Sequence, residues 1–279
     1  MPLNFDLAGK AYPQQEVRVE AGRIEAYARA TQDHNPRYLG ADEQISPPVF
    51  AVVPAFPLMV SIAADPELGL DDPLKILHSA QEFRYHRPIR AGEILVLSPT
   101  LERVEDRGRN AAFVVRIDAT ARDGEPVVDQ WWTLFVRGAG GGGARSAPKP
   151  DPPTRADQLA TFSQQIEQDM PSRYAEVSGD HNPIHLDDQV ARAVGLPGVI
   201  NHGLGTLALV SGGLVEHAAG GRPELLARLL ARFTAPVVPG DRLSTEVWGT
   251  SHPGMCVYEV NRPDGRPAVV GEVEIRGTS

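Results

Sequence analysis

The sequence predicts an α+β fold in two like halves, each an antiparallel sheet wrapped around one long apolar helix. Two observations carry that prediction. A stretch recurs: Tyr27 to Leu39 reads YARATQDHNPRYL and Tyr174 to Leu186 reads YAEVSGDHNPIHL, and the likeness continues more loosely as PPVFAVV from Pro47 against PGVINHG from Pro197, then RPIRAGEIL from Arg87 against APVVPGDRL from Ala235. Each half also shows one order of elements, a duplication of one unit rather than a chance match.

A short helix opens each unit, at about 22–31 and about 169–178, and the Asp-His-Asn-Pro turn follows. A small helix and a Pro-rich turn lead to a longer apolar helix, which in the second half runs from about Gly203 to Ala219 and is rich in Leu, Ala and Val. Strand-like runs complete each unit: ILHSAQEFRYHRPI, EILVLSPTLERV, AAFVVRIDATA and PVVDQWWTLFVR, then LLARLLARFTAPV, RLSTEVWG, MCVYEVNR and PAVVGEVEIRG. Pro-Gly-Asp, Arg-Asp-Gly and Arg-Pro-Asp-Gly between them are turn formers. Gly138, Gly140–Gly143 and the run Ala147–Pro153 read as a linker, which divides the chain into 1–138, a linker at 139–155, and 156–279. No Lys-Ser or Lys-Thr follows these glycines, so they do not form a phosphate loop.

Composition narrows the function. The 279 residues suffice for two cores, and a net charge of −9 with dispersed acids argues against nucleic acid as partner. Cys256 is the sole cysteine, which excludes an intramolecular disulfide and a cysteine zinc cluster; its apolar neighbours read as a strand, making it a structural thiol. Without a signal-like start or a membrane-length apolar run, the expected location is cytoplasmic, with no membrane partner.

The second copy of the turn holds the chemistry. Asn182 is suited to cap a helix beginning at Pro183, which sets Asp180 before the bend and His185 in the first turn. A carboxylate and an imidazole facing one cavity suit proton transfer. The first copy keeps Asp33, His34, Asn35 and Pro36 but has Tyr38 at the position of His185, Gln32 at that of Gly179, and Val52 and Val53 at those of His202 and Gly203. What both copies keep serves the turn, His181 included. What only the second keeps is the better functional candidate.

The run Tyr174-x-x-x-Ser178-Gly179-Asp180-x-Asn182-Pro183-x-His185, followed by Gly195-Leu196-Pro197 and His202-Gly203, resembles the hydratase-2 signature of the MaoC-like (R)-specific enoyl-CoA hydratases. The looser likeness over nearly the whole chain resembles their fused double-hotdog members, with a degenerate first half and an active second half. The resemblance implies a double hotdog fold and reversible syn hydration of a trans-2-enoyl-CoA or acyl-carrier-protein thioester to the (R)-3-hydroxyacyl thioester. It further implies that Asp180 and His185 hold the water and move protons, while the Gly203 N–H binds the thioester carbonyl. Asn182 and His202 are candidate substrate contacts, Arg84 and Arg232 candidate partners for CoA phosphates, and Pro57, Leu58, Met59 and Val60 candidate walls for the acyl chain. No metal or organic cofactor is implied. Two units in one chain already form a pseudo-dimer, which leaves a homodimer of the whole chain open.

Four rival readings are weaker. His181 and His185 beside Asp180 have metal-ligand spacing, but Pro183 separates them. Gly203-Leu204-Gly205-Thr206-Leu207-Ala208 imitates a dinucleotide fingerprint without its strand–helix–strand setting. A hotdog thioesterase would release CoA thiol. A noncatalytic acyl-CoA-binding protein would not need the asymmetry between the copies.

Overall fold

The computed structural model describes residues 2–40, 42–143 and 153–277. In the first half, β1 (Lys10–Ala11), β2 (Gln15–Arg18) and α1 (Ala21–Ala30) precede α2 (Val52–Ala63) and the strands β3 (Ile76–Tyr85), β4 (Ile94–Arg107), β5 (Asn110–Ala121) and β6 (Pro126–Val136). The second half repeats the plan: β7 (Gln158–Gln165), α3 (Met170–Ser178), the short α4 (Asp188–Ala193), α5 (Gly203–Ala218), then β8 (Leu226–Phe233), β9 (Arg242–Gly249), β10 (Met255–Asn261) and β11 (Pro267–Ile275). This is the double hotdog that the sequence predicts. Its helix and strand runs match the expected ones closely.

The strands form one sheet in the order β1-β4-β5-β6-β3-β8-β11-β10-β9-β7, with β2 also on β4, and every pairing is antiparallel. The halves join where β3 meets β8, through Gln81 opposite Ala231 and Phe83 opposite Leu229. One face of the sheet carries the core, with Trp132, Leu134 and Val136 of β6 and Leu229 and Ala231 of β8 all buried.

The central helices sit on that face by different means. Small residues let α5 approach closely: a Cβ on Gly213 would stand 2.2 Å from the ring of Phe162 in β7. In α2, Pro57 lies inside the helix. Its ring lacks an N–H, so one helical hydrogen bond is missing there. A single turn of 3-10 helix at Pro48–Ala51 runs directly into α2, whereas α5 starts abruptly after the extended residue His202.

Three strands escape the sequence pattern. β1 and β2 are short, and β7 is an edge strand in which only Phe162 is buried, so alternation is too weak to reveal it. The expected linker begins as packed chain: Ala139 is buried, its carbonyl accepts from the Leu3 N–H, and the Gly140 and Gly142 N–H groups donate to Arg109 and Gly108. Residues 144–152 of that linker lie outside the described residues. No helix among the described residues is long and apolar enough to cross a membrane.

Candidate active site

Both copies of the Asp-His-Asn-Pro turn are built by the same hydrogen bonds. In the second, Asp180 Oδ1 accepts from the Asn182 N–H at 3.2 Å, Asn182 Oδ1 accepts from the Ile184 N–H at 3.3 Å, and the Asn182 carbonyl accepts from the His185 N–H at 3.0 Å. In the first, Asp33, Asn35, Arg37 and Tyr38 repeat these bonds at 3.1, 3.0 and 3.0 Å. The motif is thus first a way to turn the chain. Pro183 starts a single turn of 3-10 helix ending at His185, with Asn182 as its cap. The residue before each turn is left-handed, Gly179 at φ +81° and Gln32 at φ +58°. Glycine takes that conformation freely and glutamine does not.

The divergent positions decide what each turn presents. His185 is buried, and its Nδ1 lies 2.9 Å from the Ile200 carbonyl oxygen. A carbonyl only accepts, so the proton sits on Nδ1, and Nε2 of the neutral ring keeps a lone pair. Burial holds His185 below its ordinary pKa of 6.5, opposed by the Ile200 carbonyl and by the charge of Asp180. His202 is 1% exposed, stacks on His185 and donates from Nε2 to the Asp180 carbonyl at 2.9 Å. Burial, then the neighbouring His185, pushes it well below 6.5. Polar side-chain atoms of Asp180, His185 and His202 all lie within 4.8 Å of one another.

Gly203 begins α5, and no side chain caps it. The first N–H groups of a helix have no partner within it and carry its positive end. Backbone N–H groups at the start of α5 therefore follow directly on His202, which clusters with Asp180 and His185. The first copy lacks this arrangement. Tyr38 fills the histidine position and is fully buried, while Val53 lies in a continuous helical run that begins behind Pro47 and Pro48, neither of which has an N–H. Asp33 is buried there, and burial raises its pKa.

Other sequence candidates are distributed differently. His202 was expected to contact substrate, but it is fully enclosed and holds Asp180 and His185 in place. Asn182 spends its oxygen on the turn. Arg84 and Arg232 alternate with inward-facing neighbours, Phe83 and Tyr85 for the one and Ala231 and Phe233 for the other, so both point from the opposite face of the sheet. Arg232 lies 3.6 Å from Glu272, and Arg84 rests over Trp131. In α2, Pro57 and Val60 are exposed, Leu58 and Met59 half-buried, and Phe56 lies 4.0 Å from where a Cβ on Gly179 would be. Cys256 is buried, and burial raises its thiol pKa. His181, expected to serve the turn, is exposed.

Two further residues at the site carry no signal in the sequence. Ile200 acts through its carbonyl, and Phe233, whose ring a Cβ on Gly203 would meet at 3.2 Å, backs the helix start from a strand thirty residues downstream. A metal at Asp180, His185 and His202 is disfavoured by the stack: rings 28° from parallel with centroids 3.7 Å apart aim their in-plane lone pairs side by side rather than at one point. His181, the ligand that spacing suggested, is not in this cluster.

Known proteins resemble this chain in sequence and in fold. Residues 147–260 match the MaoC like domain, and residues 6–130 match the FAS1-like dehydratase domain region. The chain is 34% identical over 244 residues to 3-hydroxyacyl-thioester dehydratase Y of Mycobacterium tuberculosis, covering 83% of this chain and 80% of that protein. It is 28% identical over 216 residues to a probable enoyl-CoA hydratase 2 of Dictyostelium discoideum, covering 76% and 74%. A solved MaoC-like dehydratase superposes with a TM-score of 0.84 at 22% identity over 98% of this chain and 99% of that one, a likeness of fold. With a relative at 34% identity matched over most of both chains, this chain belongs to the MaoC-like dehydratase family.

Proposed function

We propose that the protein hydrates a trans-2-enoyl thioester, carried on CoA or on an acyl carrier protein, to the (R)-3-hydroxyacyl thioester, and catalyses the reverse dehydration. The observation that supports this reading most is the convergence of Asp180 and the open Nε2 face of His185 beside the uncapped start of α5.

In the hydration direction, the water oxygen attacks the β-carbon while neutral His185 takes one of its protons at Nε2. The double-bond electrons move toward the thioester carbonyl, whose oxygen gathers negative charge and receives the Gly203 N–H. The resulting enolate takes a proton at the α-carbon from the Asp180–His185 pair, which restores both groups. Both new bonds form on the face that the pair occupies, giving syn addition. His202 holds the Asp180 backbone and flanks the His185 ring. Apolar residues of α2, from Phe56 to Val60, suit the acyl chain, and the site's single working copy fits a chain whose first half serves to bind.

Crotonyl-CoA and a longer trans-2-enoyl-CoA test this directly. Loss of the enoyl ultraviolet absorbance with an (R)-configured product is expected. Release of free CoA thiol without hydration would overturn the reading in favour of thioester hydrolysis.

A further inference from the structure

A polar pair faces the interior of the sheet close to the site. Strand residues three apart normally point to opposite faces. In β3 an extra residue, Ser79, is squeezed between His78 and Ala80 opposite β6, and its hydroxyl donates to the Thr133 carbonyl at 3.0 Å. This bulge brings His78 to the same inner face as Gln81. Bulges that re-aim a side chain are common next to functional sites.

The pair lies one aromatic ring from the helix start. Phe233, in contact distance of Gly203, meets His78 edge-on with ring centroids 5.2 Å apart, and His78 stacks on Trp132 at 5.4 Å. Trp132 in turn lies against Phe56, the α2 residue next to Gly179. Gln81 is 0% exposed, and neither its amide nitrogen nor its oxygen makes a well-formed hydrogen bond among the described residues; its side chain bears only loosely on the His78 ring. Other buried glutamines are satisfied: Gln130 donates to the Ala51 carbonyl and accepts from Trp132, and Gln44 donates to the Tyr38 carbonyl. A buried amide left unpaired is costly and marks a place where a partner arrives from elsewhere. His78 Nε2 donates to the Ala80 carbonyl at 3.0 Å, which leaves Nδ1 as an acceptor beside the Gln81 side chain.

We propose that His78 and Gln81 form a polar seat on the acyl side of the site, selecting a 2-enoyl thioester whose chain carries a hydroxyl beyond the reacting double bond. The inference rests on the hydratase reading. A hydroxyl donates to the Gln81 oxygen and accepts from a Gln81 N–H, in place of the loose contact between Gln81 and the His78 ring. The full chain is assayed with trans-2-enoyl-CoA esters of equal length, one unsubstituted and the rest with the hydroxyl moved one carbon at a time. For one position, kcat/KM exceeds that of the unsubstituted ester by about tenfold or more. Gln81→Leu, close in volume, abolishes that preference and raises Tm, because it removes an unpaired buried amide. His78→Phe keeps the aromatic stack and weakens the preference.

A merely structural Gln81 predicts the opposite pair of readings: a lowered Tm and an unchanged ratio. Wild-type hydration with no preference at any position, or with a preference that survives Gln81→Leu, overturns the proposal alone. Absence of hydration of every ester overturns the hydratase reading and the proposal together.

Discussion

The imidazole of His202 lies on that of His185, ring centroids 3.7 Å apart, while its Nε2 donates to the Asp180 carbonyl. One enclosed ring therefore fixes both proposed proton-transfer groups, one by stacking and the other through its backbone. His202→Phe keeps the stack and loses the hydrogen bond. The expected result is a fall in kcat of about tenfold, with KM little changed, measured by steady-state hydration of crotonyl-CoA.

The pH profile follows from the protonation state of His185. As a base it must be neutral, and burial lowers its pKa from 6.5, so the acid limb of kcat/KM should have its midpoint below 6.5. The same shift is a stability statement. Below 6.5 the unfolded chain binds protons at His185 and His202 that the folded chain refuses, so stability is retained above that value and lost as pH falls beneath it. A double variant lacking both imidazoles should show a shallower fall in Tm between neutral and mildly acidic buffer. An acid limb centred above 6.5 would contradict the assignment.

The two copies of the turn allow a paired comparison. Asp180→Asn and His185→Ala should each lower kcat by about 10²–10⁴. Tyr38→Phe, which removes only a buried hydroxyl without a partner among the described residues, should leave turnover near that of the wild type.

Asp33 gives a separate test. Its buried carboxyl has a raised pKa, so it favours folding while protonated; that contribution is lost as pH rises from 3.8 through the higher folded value. Asp33→Asn stays neutral and keeps an oxygen for the Asn35 N–H. The difference in Tm between variant and wild type should move in the variant's favour from acidic to neutral pH.

Gly203 has room for little else. A Cβ there would stand 3.2–3.4 Å from three atoms of the Phe233 ring, so Gly203→Ala must displace the ring or the helix start by a few tenths of an ångström. A fall in kcat of about tenfold is expected, smaller than the roughly 10²–10³ for outright loss of an oxyanion donor. Phe233→Leu in the same chain should restore part of the rate.

Much of this was legible in the sequence because it was written twice. The repeated Tyr-x-x-x-x-x-Asp-His-Asn-Pro spacing aligned the halves, and the contrast of His185 with Tyr38 and of Gly203 with Val53 singled out the divergent residues. Participants that act through the backbone or through tertiary approach were not legible. The Ile200 carbonyl has no side-chain signature, Phe233 reads as one more strand residue, and the bulge at Ser79 hides the shared face of His78 and Gln81 from a period-two reading. The placement of Arg84 and Arg232 was hidden for the converse reason: strand parity, fixed only once neighbours are paired, sends them to the opposite face of the sheet.

The junction of β3 with β8 has a consequence for how such an asymmetric molecule can exist. In an assembly of identical subunits, any substitution is imposed on every site at once, so a tyrosine that silences one site silences all. Covalent fusion across a shared sheet removes that constraint. One half holds Val53 and Tyr38 buried in its packing, while the other is free to keep Asp180 and His185 in its own turn.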